Sequence, residues 1–170
     1  MEKSKVTDPG KTHRIALVDD HWVILDGLSL ILNRTSGLEV CSTACSALEA
    51  MQLLNDDPPD VMVVDLALPD RNGLELVRDL LACRPDMKII CLSALDEIRY
   101  ARMALSAGAK GFVHKSDGAK VLVEAVRTVC KGGIHVSENV NRELLKNLVG
   151  RQKSNQAGEP PLAHLPQFSG

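Results

Sequence analysis

Five short apolar, β-branched runs alternate with segments of helical period, and this alternation limits the chain to very few folds. The runs fall at residues 15–18 (IALV), 38–43 (LEVCST), 61–64 (VMVV), 89–92 (IICL) and 111–113 (GFV). Between and after them, Ile24-Leu28-Ile31, Leu74-Val77-Leu81, Ile98-Ala101-Leu105 and Leu122-Val126-Val129 recur at steps of three and four residues, the spacing of one helix face. Strand followed by helix, repeated, requires crossovers that lay helices on both faces of a parallel sheet, so the pattern predicts an α/β domain. Asp57-Pro58-Pro59-Asp60 and Arg84-Pro85-Asp86 close the second and third helices, and Gly132-Gly133 closes the fifth. Ser137 is a predicted N-cap for one more helix, carrying Val140-Leu144-Leu148. The expected organisation is a flexible lead at 1–12, the α/β domain at 13–133, a helix at 134–149 and a flexible linker at 150–170, where Gln, Ser, Asn, Gly and Pro dominate.

Composition removes several function classes. Aromatic residues make up 2% of the chain, so aliphatic side chains must fill the core, and base-stacking platforms or aromatic cages are not expected. The formal net charge of -2 exerts no general pull on nucleic acid or acidic membranes. Cys41, Cys45, Cys83, Cys91 and Cys130 show neither a C-x-x-C pair nor zinc spacing, and are expected to be buried, reduced thiols. With no apolar export core and no run of membrane-spanning length, the expected location is the cytoplasm, without a membrane partner.

Chemistry gathers where the strands end. Ligands of open parallel sheets bind outside the carboxyl ends of the strands. There the sequence sets Asp19-Asp20 after the first run, Asp65 after the third, Ser93 after the fourth and Lys115 after the fifth. Adjacent carboxylates repel, so a positive partner is required. A hard divalent cation with oxygen ligands meets that need, and Mg²⁺, which takes one or two carboxylates and keeps several waters, suits an open site. Lys115 and Ser93 would then contact a phosphoryl group shared with the metal. His21 is read as a local structural residue because Mg²⁺ prefers oxygen, and Trp22 as a partly exposed residue at a helix start.

These residues resemble the receiver domains of two-component response regulators. The resemblance is carried by VDDH at 18–21, DLALPDRNG at 65–73, SA at 93–94 and GAKGFVHK at 108–115, and covers about residues 13–133. It implies a flavodoxin-like, doubly wound, five-stranded parallel sheet of order 2-1-3-4-5 with an extra C-terminal helix. It also implies that Asp65 is the phosphoacceptor, served by a sensor histidine kinase. Asp20, Asp65, Asp19 through water, and the backbone carbonyl of Ala67 would hold Mg²⁺. Ser93 and Lys115 would contact the phosphoryl oxygens, and Ser93 with Phe112 would form the switch.

Lys115-Ser116-Asp117 and KGGIHVSENVNRELLKNL at 131–148 further resemble the NarL/FixJ subfamily, in which a LuxR-type helix-turn-helix follows and phosphorylation drives homodimerisation. No such DNA-binding unit is legible in these residues, and Arg142, Lys146, Arg151 and Lys153 are too few to read a groove. DNA output, and hence transcription regulation, is therefore expected only through a C-terminal domain outside the chain. The alternative is a stand-alone or degenerate receiver that works as a protein-interaction module. Phe112 departs from the frequent tyrosine and lacks a hydroxyl, so its switching must rest on packing. Ala67 and Leu95, two residues beyond Asp65 and Ser93, cannot orient an attacking water, which predicts a slowly hydrolysed acyl phosphate. The resemblance implies a phosphoacceptor signalling protein with no enzymatic activity beyond its own phosphorylation and dephosphorylation. A dehalogenase-type phosphatase would need a second Asp at position 67, a flavodoxin a phosphate loop where DDHW stands, and a nucleotide P-loop a glycine at His114.

Overall fold

The computed structural model describes residues 10–157. Its elements are β1 (His13–Val18), α1 (Trp22–Asn33), β2 (Leu38–Ala44), α2 (Ala47–Asp56), β3 (Val61–Asp65), α3 (Gly73–Cys83), β4 (Lys88–Ser93), α4 (Glu97–Ser106), β5 (Gly111–His114), α5 (Gly118–Cys130) and α6 (Glu138–Ala157). All paired strands run parallel, in the order β2-β1-β3-β4-β5, the predicted fold.

The period of two along each central strand sorts side chains onto two separate cores. Ala16, Val18, Met62, Val64, Ile89, Cys91 and Phe112 face one layer, which also holds Leu76, Leu80, Ala101, Ala104 and, from α6, Val140. Ile15, Leu17, Val61, Val63, Ile90, Leu92 and Val113 face the other, against Leu25 and Leu32 of α1 and Leu122, Val126 and Val129 of α5. Strands buried on both faces read as unbroken apolar runs, which is why the sequence marked them so clearly. Phe112 therefore lies on the α4 side of the sheet.

Local signals end the helices as anticipated. Gly132 adopts φ +89°, its N–H reaches Val129 O and the Gly133 N–H reaches Thr128 O, the paired bonds of a left-handed helix stop that glycine alone adopts without strain. The Ser137 hydroxyl accepts from Val140 N–H at 3.2 Å. β5 ends at His114 because Lys115–Asp117 coil into a 3-10 turn capped by the His114 ring, which accepts from Ser116 N–H.

Three expectations need correction. Of the five cysteines only Cys91 is buried; Cys41 and Cys130 are half-buried, Cys45 and Cys83 exposed, and all are free. Cys41 is the extra residue of a bulge on β2, an outer strand of the sheet. Cys45 follows that strand and Cys83 ends α3. Trp22 is more open than expected, 70% exposed. The last helix begins at Glu138 and continues past Gly150 to Ala157, since Gln, Ser and Asn weaken a helix without stopping it and the next proline stands at position 160. Most of the expected lead at 1–12 and the tail after 157 lie outside the described residues. Among the described residues no helix is long and apolar enough to cross a membrane.

Candidate functional site

Because β1, β3, β4 and β5 are consecutive in the sheet, their carboxyl ends form one rim, and the residues singled out there converge. Asp19, Asp65 and Ser93 are the buried polar residues of the described structure, at 2%, 1% and 1% exposure. Lys115 spans the rim: its Nζ donates to Asp65 Oδ2 at 2.9 Å and to Asp19 Oδ2 at 3.1 Å. Asp65 Oδ1 accepts from the Ala67 N–H at 3.0 Å. Asp19 Oδ1 accepts from the His21 N–H at 2.9 Å, and the His21 Nδ1 lies 2.9 Å from Asp19 Oδ1 and 3.1 Å from Asp20 Oδ1. His21, set aside in the sequence, is thus part of the cluster as a partner of both carboxylates.

The two buried acids are tuned in opposite directions. Burial pushes Asp19 up, but hydrogen bonds from the His21 backbone and ring and from Lys115 outweigh it, and its pKa falls below the ordinary value. Burial dominates at Asp65, aided by the negative charge of Asp19, and Lys115 and the Ala67 N–H only partly offset it, so its pKa rises. Burial would lower Lys115, yet its hydrogen bonds to Asp65 and Asp19 prevail and its pKa rises. The result is an ammonium fixed between a firmly ionised acid and a less comfortable one.

The loop after β3 is tied down from several directions. Leu66 N–H reaches Leu92 O and Gly73 N–H reaches Leu66 O, both at 3.0 Å. A Cβ on Gly73 would stand 2.4 Å from Leu66 Cα and 2.7 Å from Asp65 O, so only glycine lets α3 start this close to the Asp65 backbone. Asn72 caps α3 through Leu74 N–H at 2.9 Å. Asp70 accepts from Ala47 and Leu48 N–H at the start of α2, a tie across 23 residues that no local motif announces. These positioning roles of Asp70, and the entry of His21 into the cluster, were not legible in the sequence.

Ser93 and Phe112 sit beside the cluster without joining it. The Ser93 Oγ accepts from Leu95 N–H at 3.0 Å, and β5 holds Phe112 buried at 2% exposure. A cleft of about 130 Å³ between α1 and α5 reaches Lys115 past Ile24, Leu28, Leu92 and Leu122.

The donor set fits a hard metal ion. Donor atoms of Asp19, Asp20, His21 and Asp65 lie within 4.8 Å of one another. Formally, the three carboxylates of this cluster and the ammonium that holds two of them carry an excess of two negative charges, which one divalent cation balances.

Comparison with known proteins agrees with this geometry. Residues 15–127 match the response regulator receiver domain. The chain is 33% identical over 150 residues to the oxygen regulatory protein NreC of Staphylococcus carnosus, covering 86% of this chain and 69% of that protein. It is 34% identical over 133 residues to the transcriptional regulatory protein DegU of Brevibacillus brevis, covering 78% of this chain and 56% of DegU. The crystal structure of a LuxR-family two-component response regulator from Aurantimonas sp. SI85-9A1 superposes with a TM-score of 0.76 at 32% identity, covering 82% of this chain and 99% of that one.

Proposed function

Because the chain belongs to the response regulator receiver domain family, alongside regulators of the NarL and LuxR type, we propose that Asp65 accepts a phosphoryl group from a sensor histidine kinase. The observation that carries this reading is the Lys115 ammonium held against buried Asp65 and Asp19 at the carboxyl edge of the sheet. An Asp65 carboxylate oxygen attacks the phosphorus of a phosphohistidine, the P–N bond breaks, and the electron pair leaves on the imidazole, which takes up a proton from solvent. Lys115 donates to the oxygens of the transferred group, and the Ala67 N–H keeps Asp65 aimed. Asp20 and Asp65 directly, Asp19 through water and the Ala67 carbonyl are the residues to hold Mg²⁺, which when bound spreads the charge of a loose transition state.

The output follows from the same groups. Ser93 turns its hydroxyl from Leu95 N–H toward the phosphoryl oxygens, Phe112, already buried in this structure, fills the space behind it, and α4 and β5 adjust. The domain division is a receiver at 13–133 followed by a linker helix. The chain spans 69% of NreC and 56% of DegU, and DNA binding is assigned to a helix-turn-helix outside these 170 residues, reached in the cytoplasm through a phosphorylation-dependent homodimer. The protein is a signalling phosphoacceptor, not an enzyme acting on a separate substrate.

Intact-mass spectrometry after acetyl phosphate and Mg²⁺ tests this. One phosphoryl group is expected on the wild type and none on Asp65→Asn or in excess chelator. Because neither exposed Leu95 nor exposed Ala67 presents a side chain that orients water, the label is expected to persist for minutes or longer. No labelling of the wild type would instead identify an unphosphorylated interaction module.

A further inference from the structure

We infer that α6 is a releasable cover on the switch face of the sheet, and that its docking and phosphoryl occupancy of Asp65 favour one another; the inference rests on the phosphoacceptor reading above. Two features fasten α6. The residues leading into it pair with the free edge of β5: Phe112 N–H donates to His135 O and His135 N–H donates to Lys110 O, each at 2.9 Å, so the backbone of the switch aromatic itself is tied to this segment. The first turns of α6 then lie against α4, where Val140 is fully buried in the cluster of Ala101, Ala104 and Phe112 and half-buried Val136 and Leu144 close its margin.

The contact is confined to one end of the helix. At 1.5 Å per residue the 20 residues of α6 extend about 30 Å, roughly twice the length of the ten-residue α4, and Leu148 and Val149 are 60% and 54% exposed. Three apolar side chains and two hydrogen bonds form a contact small enough to open without unfolding the receiver beneath it.

The sign of the coupling follows from Phe112. It is 2% exposed, shares its buried layer with Val140 and is tied through its N–H to His135 just before α6. Phe112 is already inward in this structure, with α6 docked, and the proposed switch requires Phe112 inward when Asp65 is phosphorylated, so a docked α6 and a phosphoryl group select the same packing. Coupling of this kind is reciprocal: the group at Asp65 tightens α6, and α6 tightens the site.

Hydrogen exchange and titration with beryllofluoride plus Mg²⁺ on the full chain test both directions. In the wild type, the mimic is expected to slow exchange at His135 and along the first turns of α6. In Val140→Asp, which undocks α6, and in His135→Pro, which removes one edge hydrogen bond without touching the core, affinity for the mimic is expected to fall roughly five-fold or more, with a larger loss for Val140→Asp. Unchanged α6 exchange in a wild type that binds the mimic, or unchanged or tighter binding in a folded variant, overturns the inference while leaving the phosphoacceptor reading intact. A wild type that does not bind the mimic overturns both.

Discussion

At the scale of single residues, the site is an arrangement of charges that folding tolerates more than it welcomes. Ionised Asp65 has a raised pKa, so it binds its proton more tightly folded than unfolded, and the stability it contributes is present below the unfolded value of 3.8 and lost as pH rises through the folded one. Neutralising it is therefore expected to help: Asp65→Asn should be more stable than the wild type at pH 7, read from urea unfolding without metal. Lys115 carries the opposite lesson. Its raised pKa means that its contribution is complete below 10.5 and disappears as pH rises through the folded value. The wild type should lose stability above that pH, and Lys115→Met, starting lower, should lack this alkaline limb in denaturation series across the range. Function here costs stability at one residue and recovers part of it at another.

At the scale of elements, legibility in the sequence tracked how local the cause was. Strands such as Val61–Asp65 were plain because burial on both faces makes them uniformly apolar, and the end of α5 and the start of α6 were plain because Gly132 and Ser137 act within a few residues. The rim residues Asp19, Asp65 and Lys115 were readable because topology alone brings strand ends together. The tie from Asp70 to the start of α2, the ring of His21 between two carboxylates and the exposure of Cys45 were not, since each depends on where a loop travels. Gly73 lies between these cases: its place in the motif was visible, its reason was not. With 2.4 Å between an added Cβ and the Leu66 backbone, Gly73→Ala must push α3 off the Asp65 loop, and a loss of about 3 kcal/mol together with weakened phosphorylation is expected from thermal melts and labelling.

At the scale of the whole molecule, the rim gives the chain an optical reporter. Trp22 is the only tryptophan, 70% exposed and two residues from Asp20, so millimolar Mg²⁺ should change its fluorescence, reversibly on chelation, and raise the melting temperature by mass action. Asp20→Asn should abolish both responses. The sheet's two outer borders share another property. A strand with unsatisfied backbone groups invites a neighbouring molecule to zip onto it. On β5 the Lys110 carbonyl and the Phe112 amide are already spent on His135. On β2 the Val40 amide is taken by Asn33 at 2.8 Å, and the bulge at Cys41 bends the strand out of register. Both borders thus offer few open backbone groups to an incoming strand, which disfavours templated aggregation.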